Sequence, residues 1–158
     1  MKSLCDNHDH AHSSDDFSRS FMYSIHQMYF LIEKHLEHAL FKKKTISFSQ
    51  FLILVGFRCS PNVPVSQSVI AERLNLTEAT VSRHISSLVA SGLLSRTQDT
   101  TNRRKHIIDL TTKGKKVFDG ASTLIHKELT SIFSPIQEKD RKSIVKNFTN
   151  VLSLLEKK

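Results

Sequence analysis

Three groups of side chains in this 158-residue chain could do chemistry. The first consists of metal-ligating types. His8, His10 and His12 alternate near the N-terminus beside Cys5, Asp6 and Asp9, while His26, His35 and His38 follow with His126 far downstream. Imidazole and thiolate are competent zinc ligands. The first three histidines, however, sit among polar residues with nothing to bury, and no Cys-x-x-Cys pair occurs, so the expected reading is a solvated tail without a built-in metal site. His35 and His38 could share a helical face, with His126 approaching across a dimer core. The second group is Cys59, which follows Arg58; a neighbouring cation favours thiolate and makes it a redox candidate, against the plainer reading of a small hydrophobe at a helix end. The third group is rich in hydroxyls and cations: Ala79, Thr80, Ser82, Arg83, Ser86 and Ser87 fall within one short stretch, and Arg96, Arg103, Arg104 and Lys105 come after it. Small donors with long cations are the chemistry of polyanion recognition.

The inventory argues against an enzyme. There is no Gly-rich phosphate loop, no Gly-x-Ser-x-Gly, no His-Glu-x-x-His, and only 4 glycines in all. No cofactor is expected. Hydrophobic residues at 39% and charged residues at 24% are those of a globular protein, and the length fits one domain of roughly 100–200 residues. The best apolar run, Phe51 to Phe57, is far short of the roughly 18 residues a membrane span needs. Two cysteines make no disulfide framework, and the polar N-terminus has no signal-peptide core, so a cytoplasmic protein is expected. Net charge is +8. It is unevenly placed: the first sixteen residues hold one Lys against four Asp, whereas Ser66 to Lys116 holds nine bases against four acids. A basic segment inside a globular chain suits nucleic acid or a membrane surface, and charge alone does not choose between them.

The elements that must position these groups follow from periodicity. Residues 1–16 read as a polar tail. Phe17, Phe21, Ile25, Met28, Ile32, Leu36 and Ala39 step by three and four, predicting a long helix to about residue 45. Ser47 or Ser49 can cap a second, buried helix through Phe57, and the Pro-rich stretch after Cys59 ends it. Ser66 and Thr77 are N-cap types for two further helices joined by Asn75 and Leu76, and Gly92 can close the second of these in a left-handed turn. Leu94 to Gln98 and His106 to Leu110 have strand period and form a hairpin with a charged tip. Thr111 caps a fifth helix that ends by Pro135, and a last helix carries Ile144, Phe148, Leu152 and Leu155 on one stripe. The fold class expected is mainly α with a small β-hairpin.

Two short helices with a tight connection make a helix-turn-helix, and the basic hairpin after them makes it winged. Burying Val81, Ile85 and Leu88 turns Ala79, Thr80, Ser82, Arg83, Ser86 and Ser87 outward. That face has no large hydrophobe and can enter a major groove roughly 12 Å wide. Arg103 at the hairpin tip can reach a narrow minor groove, with Arg104 and Lys105 nearer the phosphates.

Ala71-Glu72-Arg73-Leu74, Leu76-Thr77, Thr80-Val81-Ser82-Arg83, Gly92-Leu93-Leu94, Arg96, Asn102-Arg103-Arg104 and Leu110-Thr111-Thr112-Lys113-Gly114 together resemble the MarR-type winged-helix transcriptional regulators. The resemblance spans roughly residues 17 to 158. It implies a homodimer with interlocked terminal helices, bound to palindromic double-stranded DNA and often switched by a small ligand or by oxidation. The family pattern has Asp where this chain has Asn102; that acid orients the wing arginine, and Asn keeps only a hydrogen-bond acceptor. The domain reading is a tail at 1–16, an N-terminal dimerisation helix at 17–45, a winged helix-turn-helix lobe at 46–112 and C-terminal dimerisation helices at 113–158. A two-fold dimer would set its recognition helices about 34 Å apart, one turn of DNA. The expected function is a DNA-binding transcriptional regulator, a repressor released by a ligand or oxidant. The alternatives are a metal- or redox-responsive regulator of the same fold, or a helical protein-interaction module.

Overall fold

The computed structural model describes residues 14–43, 46–58, 66–98 and 106–156. Six helices and one hairpin run in the order expected: α1 Ser14–Lys42, α2 Phe48–Arg58, α3 Gln67–Leu74, α4 Glu78–Ala90, β1 Leu94–Gln98, β2 His106–Leu110, α5 Thr112–Ile132 and α6 Glu138–Leu155. The first helix begins three residues before Phe17, so residues 14–16 belong to it rather than to a polar tail. Asp16 then falls in the first turn, where a carboxylate suits the helix dipole. Residues 1–13, with Cys5, His8, His10 and His12, lie outside the described residues, as do Cys59 and the hairpin tip with Asn102, Arg103, Arg104 and Lys105.

The core lies where α2, α4 and the C-terminal half of α1 meet. Leu36, Leu40, Ile53, Leu54, Val81, Ile85 and Leu88 are almost completely buried, joined by Ile70, Leu94 and Ala121 from the surrounding elements. The near-continuous apolar character of α2 is thereby explained: it is covered on most sides. Phe51 stacks on Phe118 of α5 with ring centroids 5.4 Å apart, which ties the helix-turn-helix lobe to the long C-terminal helix.

The termini of the chain behave differently. The apolar stripe of α1 is buried only at its C-terminal end; Phe17, Phe21 and Met28 are exposed, and α6 buries no residue at all. Among the described residues every exposed large hydrophobic except Val69 and Ile107 lies on α1 or α6. The two helices meet at Phe21 and Phe148, centroids 5.8 Å apart. Helical periodicity correctly marks these faces as apolar, but one chain does not supply what covers them. Tyr29, on the same exposed part of α1, has its phenol pKa raised by partial desolvation and then by the adjacent Glu33 carboxylate.

Candidate nucleic-acid interface

The helix-turn-helix is built by caps. Ser66 is extended and its hydroxyl accepts from the Val69 amide, starting α3. Asn75 ends α3 at φ 51°, a left-handed conformation that Asn tolerates, and the Leu76 amide reaches back to the Ala71 carbonyl at 2.9 Å, as in a Schellman closure. Two residues later Thr77 caps α4 by accepting from the Thr80 amide. This compact turn fixes the angle at which α4 leaves α3. Burial of Val81, Ile85 and Leu88 then fixes its rotation.

Rotated in this way, α4 leaves Ala79, Arg83, Ser86 and Ser87 exposed and Thr80 and Ser82 half-buried. These residues share one outer face, and no large hydrophobe stands among them. Along it runs a row of polar contacts: the Thr77 and Thr80 hydroxyls are 2.9 Å apart, and the Arg83 guanidinium donates to Thr80 Oγ1 at 3.3 Å. The row leans Arg83 toward the N-terminal end of the helix, where backbone N–H groups already favour an anion.

Gln50 of α2 is a residue the pattern of hydroxyls and cations did not mark. It forms a reciprocal cap with Ser47: its amide N–H donates to Ser47 Oγ, and its side-chain Oε1 accepts from the Ser47 N–H, both at 3.1 Å. Its Nε2 donates onward to Ser87 Oγ at 3.2 Å. The Ser-x-x-Gln spacing was a readable capping box; the contact with Ser87, which spans 37 positions in sequence, was not. Glu37 of α1 adds a further cap to α2 by accepting from the Phe48 amide at 2.6 Å.

The hairpin follows α4 directly. Its strands pair antiparallel from Leu94 opposite Leu110 to Gln98 opposite His106, and Arg96 stands exposed opposite Ile108. Leu94 enters the core, so the base of the hairpin is anchored. The Lys113 ammonium donates to the Ser91 carbonyl at 2.7 Å, covering the C-terminal end of α4.

The metal-ligating histidines that can be placed do not converge. His35 Nε2 lies 2.7 Å from Glu128 Oε2, joining α1 to α5, and His38 and His126 are exposed. Among the described residues no three His, Cys, Asp or Glu side chains gather as a metal site would require. An open groove of about 680 Å³ runs along α1, lined by Leu31, Lys34, His35, Glu37, His38 and Phe41. No helix among the described residues is long and apolar enough to cross a membrane.

Residues 46–106, which span α2 through the start of β2, match the model of the MarR family. Over its winged lobe, the chain is of MarR-family type. An uncharacterized HTH-type transcriptional regulator of Bacillus subtilis (strain 168), YhjH, is 37% identical over 82 residues, 52% of this chain and 45% of that protein. The HTH-type transcriptional repressor YetL of the same strain is 33% identical over 89 residues, 54% of this chain and 53% of that protein. The chain thus spans about half the length of these relatives. Whole-fold similarity extends further. The transcriptional regulator BldR from Sulfolobus solfataricus superimposes with a TM-score of 0.76 at 23% identity, covering 90% of this chain and 99% of BldR. S. aureus MepR in a DNA complex gives a TM-score of 0.70 at 22% identity, again covering 90% and 99%. At these identities the likeness is one of fold, and it extends beyond the winged lobe that matches the MarR family.

Proposed function

We propose that this chain is a sequence-specific regulator of transcription that binds double-stranded DNA as a homodimer. The observation that carries the reading is the outer face of α4: hydroxyls, a methyl and one guanidinium, with no competing hydrophobe, set on a capped helix-turn-helix and followed by a basic hairpin. α4 occupies the major groove, where Arg83 and the serines meet base edges and phosphates. Ser66 and Thr77, at the helix starts, lie near the backbone. Arg96, Arg103, Arg104 and Lys105 extend the contact along the wing, with Asn102 in the place of the family's acid. Support comes from a MarR-family match over the winged lobe, and from MepR, a protein of similar fold, having been crystallised with DNA.

The dimer is supported by the apolar faces of α1 and α6, which are too extensive to be left in water on a monomer. In a two-fold pair the helices cover one another and present two α4 helices to a palindromic operator. Repression, released by a small ligand or by oxidation, is the regulatory mode proposed; the relative YetL bears the name of repressor. Cys59 is the residue proposed for oxidation.

The deciding experiment measures binding to duplex DNA from the region upstream of the chain's own coding sequence, with footprinting across it. A protected palindrome and an affinity that falls steeply with salt are expected, at about 0.9 in log–log slope per phosphate neutralised. Equal, weak binding to every duplex, or none, would refute the reading.

A further inference from the structure

We propose that Gln50 is a positioning residue for the DNA-reading helix, holding the Ser87 hydroxyl as a proton donor aimed at the DNA; this rests on the function proposed above. The Ser47 N–H can only be met by an acceptor, so Gln50 Oε1 faces it at 3.1 Å and Nε2 must point the other way. There it meets Ser87 Oγ at 3.2 Å and donates to it. A serine hydroxyl has one proton and two lone pairs; with a lone pair engaged by Gln50, its proton is left to be given away. Ser24, Thr123, Thr130 and Thr149 give theirs to the carbonyl four residues earlier in their own helices. Ser87 makes no such bond among the described residues, and it is exposed on the face of α4 that carries Arg83 and Ser86.

The acceptors available on a duplex held against that face are phosphate oxygens and base-edge acceptors. A donor already oriented loses less freedom on binding than a free rotor. The same amide links the recognition helix to the start of α2, whose first amide is held by Glu37 of α1. Gln50 therefore makes the presentation of Ser87 depend on the joint between α1 and α2.

The test is a double-mutant cycle on full-length protein, read as affinity for a duplex selected by the parent chain from a randomised pool, with thermal stability measured in parallel. Gln50→Ala and Ser87→Ala should each weaken binding about tenfold, the size of one hydrogen bond to a charged group, and the double variant should bind no worse than either alone. Gln50→Glu separates positioning from folding. A Glu still accepts from the Ser47 N–H, so the cap and the melting temperature are kept, but it cannot donate to Ser87 and would take the serine's proton for itself. Its affinity should fall as in Gln50→Ala. Costs that add in full, or a Gln50→Glu variant that regains both stability and affinity, would overturn the proposal. A Gln50→Glu loss that persists in the Ser87→Ala background would assign the effect to charge and overturn it as well. A parent chain that selects no duplex overturns this inference and the proposed function together, whereas selection with a fully additive cycle overturns only this one.

Discussion

The Thr111 hydroxyl donates to the Gly92 carbonyl at 2.7 Å and accepts from the Gly114 amide at 2.9 Å. One side chain thereby starts α5 and fastens that start to the turn that ends α4. Gly92 stands at φ 71°, where a side chain is strained. Gly114 is buried so close under this turn that an added Cβ would overlap the Leu93 carbonyl oxygen. The recognition helix and the long helix leading to the proposed dimer base are joined at this point, with the hairpin between them in sequence.

Thr111→Val keeps the shape and removes both bonds. It should cost about 1–2 kcal/mol, in the range of a lost N-cap, whereas Thr111→Ser should recover most of it. Gly114→Ala should cost more, about 3 kcal/mol, because the clash is with backbone that cannot step aside. Urea denaturation checks both, and an unchanged midpoint for Gly114→Ala would show that the turn is not held as described.

Arg83 leans on Thr80, and Thr80 on Thr77, so the guanidinium is partly ordered ahead of the DNA contact proposed for it. Arg83→Ala should weaken binding to the selected duplex by about 1–3 kcal/mol if the side chain reads a base in bidentate fashion. Arg83→Lys should not restore it, since an ammonium has no planar fork. Anisotropy titrations on selected and scrambled duplexes separate the cases: an equal loss on both makes the contact one to phosphate, and no loss on either means that α4 presents another face.

The helix-turn-helix was legible in the sequence because its signals are local. Ser66, Thr77 and Gly92 sit where the caps and turn need them, and Val81, Ile85 and Leu88 set the rotation of α4 without help from distant residues. The two strands of the hairpin were legible for the same reason. What periodicity could not tell was where each apolar stripe finds its cover. Leu36 and Phe17 lie on one predicted face of α1, yet Leu36 is buried in the core while Phe17 is 69% exposed. The bonds from Gln50 to Ser87 and from the Phe48 amide to Glu37 were illegible because they join polar groups on different helices, and no spacing rule marks them. The pairing of His35 with Glu128 is of the same kind, and it answers locally for a histidine that composition alone offered to a metal.

Because α6 buries nothing within one chain, its loss should act through association rather than through the core. Removing residues from Glu138 onward deletes Phe148 and the stripe around it, and leaves Phe21 bare. Sedimentation velocity should then report a monomer or nonspecific aggregates in place of a dimer, while the winged lobe keeps its circular dichroism. Tight binding to the palindrome should disappear, because two linked sites become two independent ones. A stable monomer with full affinity would refute the proposed architecture.

The wing offers the sharpest test of how this chain departs from its family pattern. The strands are in register up to Gln98 and His106, and the sequence between them carries Asn102, Arg103, Arg104 and Lys105. A long planar cation suits a narrow, electronegative minor groove, which assigns that role to Arg103 and the phosphates to Arg104 and Lys105. Arg103→Ala should lower affinity more than Lys105→Ala, and the salt slope should flatten by about 0.9 for every phosphate no longer neutralised. Melting temperatures should not move, because amide and cationic side chains of these types are rarely core residues. Asn102→Asp then asks whether the family's acid is missed. If Asn102 only stands in for it, the restored carboxylate should orient Arg103 and hold or improve affinity. If this wing works without the acid, the added negative charge should repel phosphate and weaken binding, most strongly at low salt where screening is least. An Arg103→Ala variant that binds as tightly as the parent at every salt concentration would remove the wing from the interface.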